Sequence, residues 1–189
     1  MTGPGDRVET MVPRLLLSAR TRDALADAIA AARGGQALDI LTLEDAADDP
    51  AAQVHAAYLS RDITGLSTKH VVLEPLAGFY RVLRRSPDLR WVHTHAAGID
   101  RPIYAELAAR GVAVTTSAGA NADVVAQTAL GAVLALARRF PQLIAAQQQR
   151  RWEPLVAGPL PPDLAGQTAV LVGWGAIAQR LQPWLSMLG

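Results

Sequence analysis

The chain has no cysteine among its 189 residues. Disulfides, thiol nucleophiles and thiolate metal sites are thereby excluded, and a reducing compartment is permitted without being required. Charge is scarce as well: 19% of residues are charged, and 18 basic residues against 17 acidic ones leave a net charge of +1. That balance offers no electrostatic footprint for nucleic acid or an anionic membrane. The opening stretch, MTGPGDRVETMVPRLLLSARTRD, has no apolar core of the length a signal peptide needs. The most apolar helical stretch, TALGAVLALA, stops at Arg138 and Arg139, well short of the ~20 residues of a membrane span. No GxSxG elbow marks a serine hydrolase. There is no internal repeat of fixed period and no biased tract beyond alanine richness. These absences leave a soluble, cytoplasmic protein with neither nucleic acid nor membrane as partner as the expectation.

What the chain does have is apolar residues, which make up 50% of it. At this length they suffice for one good core, or for one domain and part of another. Their pattern alternates between short strand-like runs and amphipathic stretches. RLLLSA (Arg14–Ala19) reads as a strand, and TRDALADAIAAARGG as a helix with Thr21 as N-cap and Gly34-Gly35 as its stop. LDILTLE (Leu38–Glu44) and VHAAYLS (Val54–Ser60) are further strands. Pro75 opens a helix whose Leu76, Phe79, Tyr80 and Leu83 share a face, and which ends before Pro87. LRWVHTHAAGID gives a strand and a glycine loop, RPIYAELAARG a helix, and VAVTTSAG a strand. A helical stretch runs from Asn121 to Gln149, with Pro141 kinking or breaking it. GPLPPDLAG (Gly158–Gly166) reads as a linker, and AVLVGWGAIAQRLQPWLSMLG as a strand, a glycine turn and a helix. Strands alternating with helices imply an α/β, doubly wound parallel sheet, and residues 10–118 fit a five-stranded, flavodoxin-like domain.

Two motifs carry chemistry. In VLVGWGAIA, Gly173 makes the turn after a strand, Gly175 lets backbone approach a pyrophosphate, and Ala178 lets helix pack on strand. Amides at the helix start then face an anion along the positive end of the helix dipole. In HTHAAGIDRP, small residues leave the amides of Ala97 and Gly98 open to a carboxylate at the mouth of the sheet. The plainer reading, that Gly98 only makes the turn, stands beside it, and Asp100 reads as an N-cap ahead of Pro102. His93 and His95 share a strand face, one of them lining the cleft, but a metal site would need further ligands and none is expected. Arg61 follows a strand end, where such sheets hold ligands, although a solvated surface role is the simpler one. Arg138 and Arg139 read as a solvated helix end, and Trp152 as packing against the linker.

LRWVHTHAAGID, GVAVTTSAGANADVVAQTALGAVLALARR, RRWEP and LAGQTAVLVGWGAIAQRL come in an order and spacing that resembles the D-isomer-specific 2-hydroxyacid dehydrogenases. The resemblance is close over residues 85–189 and loose before that. It implies a substrate domain over residues 1–120, an inter-domain and dimerisation helix over 121–157, and over 158–189 a linker with the first β-α unit of a Rossmann NAD(P)-binding domain. It implies an oxidoreductase that reduces a 2-oxo acid to a 2-hydroxy acid with NAD or NADP, as a homodimer. By position, Ala97 and Gly98 resemble the groups that hold the substrate carboxylate. Gly173, Trp174, Gly175, Ala176 and Ile177 resemble the pyrophosphate loop, and Val125 the point where the hinge helix nears the nicotinamide.

The family's catalytic arginine, glutamate and histidine lie further along the cofactor domain and have no counterpart here; neither His93 nor His95 matches the histidine's motif. The chain therefore resembles a family member cut within its cofactor domain, inactive by itself. The alternative is a non-catalytic relic or regulatory module that binds a carboxylate and dimerises. A third reading is an amino-acid dehydrogenase of related build. In any of these, Val170, Leu171, Val172, Leu181, Trp184 and Leu188 lack a partner surface, so the last segment is expected to dock loosely, pair with another copy or be poorly ordered.

Overall fold

β1 (Arg14–Leu17) and β2 (Asp39–Thr42) are short runs whose side chains alternate between two covered faces. Leu16 and Leu17 point to opposite sides of β1 and both are buried, so neither face of the sheet centre meets water. β3 (Ala56–Leu59), β4 (Trp91–Thr94) and β5 (Ala113–Thr116) complete a five-stranded, all-parallel sheet in the order β2-β1-β3-β4-β5. That is the doubly wound, flavodoxin-like arrangement the alternation predicts. The computed structural model describes residues 11–189. Residues 1–10, the first part of the opening stretch where no signal peptide is expected, lie outside the described residues.

The connecting helices are α1 (Ala19–Ala24), α2 (Ala26–Ala32), α3 (Leu43–Asp48), α4 (Arg61–Thr64), α5 (Leu76–Arg85) and α6 (Pro102–Ala109). Leu76, Phe79, Tyr80 and Leu83 of α5 are all buried, as their spacing predicts, and join Leu16, Ala57, Leu59 and Val92 of the sheet in one cluster. Ser86 ends α5 before Pro87: its hydroxyl donates to the Val82 carbonyl at 2.8 Å and accepts the Val54 amide at 3.0 Å. A polar side chain that is fully buried is thus satisfied on both sides.

Two caps differ from the sequence reading. β1 stops at Leu17, and the extended Ser18, not Thr21, caps the helix by accepting the Thr21 amide at 3.1 Å. The expected single helix is divided at Leu25 into α1 and α2. Before α6 the N-cap position falls to Arg101, with Pro102 at the first turn, while Asp100 pairs with Lys69 at 3.3 Å instead of capping.

The chain divides into two compact units, Met1–Ala118 and Gly119–Gly189. In the second, the helical stretch is broken near Pro141, as expected, into α7 (Ala122–Ala137) and α8 (Phe140–Gln148), which meet at a 71° bend. The break lies at Arg138–Arg139, with Arg139 left-handed (φ 56°) and Pro141 in the first turn of α8, where its missing N–H costs nothing. Among the described residues no single helix is long and apolar enough to cross a membrane. The linker has no regular structure, but Arg138 is no free helix end: its guanidinium donates to the carbonyls of Pro161 and Pro162 at 3.0 and 3.2 Å. Trp152 is 91% exposed and does not pack on the linker.

The stretch Ala169–Val172 is not a strand. A strand exists through its ladder, and these residues have no neighbouring strand among those described. Val170 and Val172 are 80% and 100% exposed. The helix that follows, α9 (Ala176–Ser186), does dock: it lies on α7, burying Leu181, and Arg180 pairs with Asp123 at 3.0 Å.

Candidate functional site

In the first unit the loop after β4 is built to be held at its start and open at its tip. The His95 amide donates to the Leu59 carbonyl at 2.9 Å, continuing the β3 side of the ladder. On the other side the Ser117 amide donates to the carbonyls of Thr94 and Ala96, both at 3.1 Å. Thr94, with no exposed surface, accepts the Ala96 amide at 3.2 Å. Beyond these braces, Ala97 and Gly98 are exposed, and their amides donate to no acceptor among the described residues. Two free N–H groups at the carboxyl end of a parallel strand are positioned for an anion.

The turn does not itself call for glycine at position 98. Its φ lies outside the left-handed region, and an added Cβ would meet nothing nearer than Asp100 Oδ1 at 3.9 Å. This observation tells against the plain turn reading, because an alanine would satisfy the same turn.

The two histidines of the HTH stretch part ways. His93 uses both ring nitrogens on hydroxyls of the β5 side, Nδ1 with Thr115 Oγ1 at 2.8 Å and Nε2 with Ser117 Oγ at 3.0 Å, and stacks on Tyr58 at 5.6 Å. It is a cross-strand tie and not a cleft residue. His95, just past the strand, turns toward α4, where Nε2 meets Thr64 Oγ1 at 2.9 Å. Among the described residues no three His, Asp or Glu side chains gather as metal ligands.

Burial, then the charges of Arg61 and Arg101, hold the His95 imidazole below its ordinary value against the weaker pull of Asp62. The unfolded chain therefore binds the proton more readily than the folded one. The sign follows: stability is fully present above the unfolded value of about 6.5 and is lost as pH falls through it toward the lower folded value. Thermal melts between about pH 7 and 5 should show a falling midpoint, and His95→Gln, which keeps a partner for Thr64, should flatten that part of the slope. An unchanged slope in the variant would remove His95 from this role.

In the second unit, Gly173 has φ 101°, a conformation that requires glycine. Gly175 is the N-cap of α9, without a side-chain capping bond, and a Cβ there would meet nothing within 4 Å. The amides of Ala176 and Ile177 open the helix without intrahelical acceptors. Trp174 is 62% exposed, and its carbonyl accepts Gln179 Nε2 at 3.1 Å. The start of α7 is close by: an added Cβ on Gly119 would lie 3.5 Å from Ala176 Cβ, and the Asp123–Arg180 pair joins the same turns. Val125 is 36% exposed one turn into α7. The structure thus places Gly173–Ile177 at the α9 start, beside Gly119 and Asp123, and the first-unit candidates at the end of β4.

Sequence reasoning missed the bracing of the loop by Thr94 and Ser117. It also missed Arg101, which donates to the carbonyls of Thr68 and Ser67 at 2.7 and 2.9 Å and ties the loop after α4 to the start of α6. Ser67 and Thr68, 34 and 33 residues before Arg101, gave no local signal of that contact.

A five-stranded, all-parallel, doubly wound sheet with helices between its strands defines an α/β protein. No protein-family profile matches the chain. It is similar to the glyoxylate reductase of Thermofilum pendens, 33% identical over 101 residues that make up 51% of this chain and 29% of that protein. A glyoxylate reductase of Thermococcus litoralis is 31% identical over 105 residues. Among solved structures, the NADPH-dependent glyoxylate/hydroxypyruvate reductase of Sinorhizobium meliloti, in complex with NADP and malonate, is 25% identical with a TM-score of 0.55, over 95% of this chain and 51% of that one. A D-isomer specific 2-hydroxyacid dehydrogenase family protein of Aeromonas salmonicida shares the fold with a TM-score of 0.65. These likenesses support the resemblance of the chain to the D-isomer-specific 2-hydroxyacid dehydrogenases. The chain spans about half the length of the solved structures it matches.

Proposed function

We propose that this chain carries the substrate-carboxylate loop and the first part of the dinucleotide site of an NAD(P)-dependent oxidoreductase that reduces a small 2-oxo acid. The observation that carries the reading is the pair of free amides at Ala97 and Gly98, on a loop fixed from both sides at the carboxyl end of β4. There they receive the carboxylate of a 2-oxo or 2-hydroxy acid and orient its carbonyl carbon. Gly173, Trp174, Gly175, Ala176 and Ile177 would hold the pyrophosphate: the left-handed Gly173, the open space at Gly175 and the uncapped amides fit that group. Val125 would stand near the nicotinamide. The cofactor, when bound, supplies the hydride; the chain's own residues bind and orient. The exposed Phe140, Ile144 and Trp152 of the second unit support a homodimer through α7 and α8.

The test is Gly98→Ala. The fold has room for the methyl group, so stability should change by less than about 0.5 kcal/mol. An incoming carboxylate does not have that room. Losing one charge-assisted hydrogen bond should weaken glycolate binding about tenfold in calorimetric titration. Unchanged affinity would overturn the role of this loop.

A further inference from the structure

We infer that Arg61 is a specificity-determining residue: it selects, at the Ala97–Gly98 loop, for acids that carry a second negative charge. The inference rests on the carboxylate-loop reading and adds the substrate class. β3 and β4 run parallel in the register Leu59↔Thr94, so Arg61 leaves β3 beside the point where Ala96–Gly98 leave β4. α4 is fastened to that loop by the 2.9 Å contact of Thr64 Oγ1 with His95 Nε2. Arg61 precedes Thr64 by three residues and therefore shares the helix face that meets His95. After burial, the Arg61 charge is the next cause that disfavours the protonated His95 ring.

The other charges around the two loops are engaged. Arg101 is held by the Ser67 and Thr68 carbonyls, and Lys69 pairs with Asp100. Asp62, pushed up by burial, is brought below the usual carboxylate range by the neighbouring Ser18 and Ser60 side chains, Ser18's foremost, and by the charge of Arg20 on the β1 side. Arg61 alone among the cations after β3 and β4 is exposed without an ion pair or a side-chain hydrogen bond among the described residues. A guanidinium left free beside two free amides suits an acid with one carboxylate on the amides and a second anionic group on the arginine.

Glycolate and tartronate test this, since they differ by one carboxylate on the same 2-hydroxy carbon. Titrated into the 189-residue chain at low ionic strength, tartronate should bind about fivefold tighter than glycolate. In Arg61→Met the ratio should fall to about one, and in Arg61→Lys most of it should return, with glycolate affinity the same in all three proteins. Equal binding of the two acids by the unaltered chain, or an unchanged ratio in Arg61→Met, overturns the inference alone. No binding of glycolate at all overturns the carboxylate-loop reading, and the inference with it.

Discussion

Phe79→Ala should cost the first unit about 3–5 kcal/mol, measured as a shift in its denaturant midpoint. The chain holds only two phenylalanines. Phe79 has no exposed surface and sits in the cluster that joins α5 to Leu16, Ala57 and Val92 of the sheet. Truncating it removes a large apolar side chain from water-free contact and leaves a cavity the sheet cannot collapse to fill. Against a total of about 5–15 kcal/mol for a domain of this size, that is a large fraction. Phe140, 51% exposed on α8, is the internal control: its truncation should cost less than about 1 kcal/mol. Similar costs at both positions would mean that the core is misplaced.

The second large effect is on chemistry. Supplied with glyoxylate and NADPH or NADH, the 189-residue chain should consume no cofactor above the uncatalysed rate. Proton transfer by a positioned acid or base contributes about 10²–10⁴-fold, and the loop offers no such group. His93 has both nitrogens on hydroxyls. His95 is held toward its neutral form and spends Nε2 on Thr64. Glyoxylate-dependent cofactor consumption that follows the protein through purification would overturn the non-catalytic reading of this chain.

Much of the first unit was legible because its signals are local. The 3.6-residue stripe on α5 and the alternation of runs led directly to the 2-1-3-4-5 sheet, and the small residues of HTHAAGID marked the loop that presents free amides. What was not legible depends on distant partners. AVLV has the composition of a strand, yet a strand needs a neighbour, and Val170 and Val172 stand in solvent without one. The roles of Arg138 and Arg101 are fixed by carbonyls more than 20 residues away. His93 and His95 share a strand pattern but are drawn apart by hydroxyls on β5's side and on α4. The freedom of Arg61 could be seen only once its neighbours had been assigned partners.

The most direct test of the central claim is an amide-resolved NMR titration of the chain with glycolate. The account predicts saturable shifts at the Ala97 and Gly98 amides, with smaller ones at His95 and Ser117 and none across the β2 edge. Saturable binding that leaves Ala97 and Gly98 unmoved, or no binding at all, would contradict it.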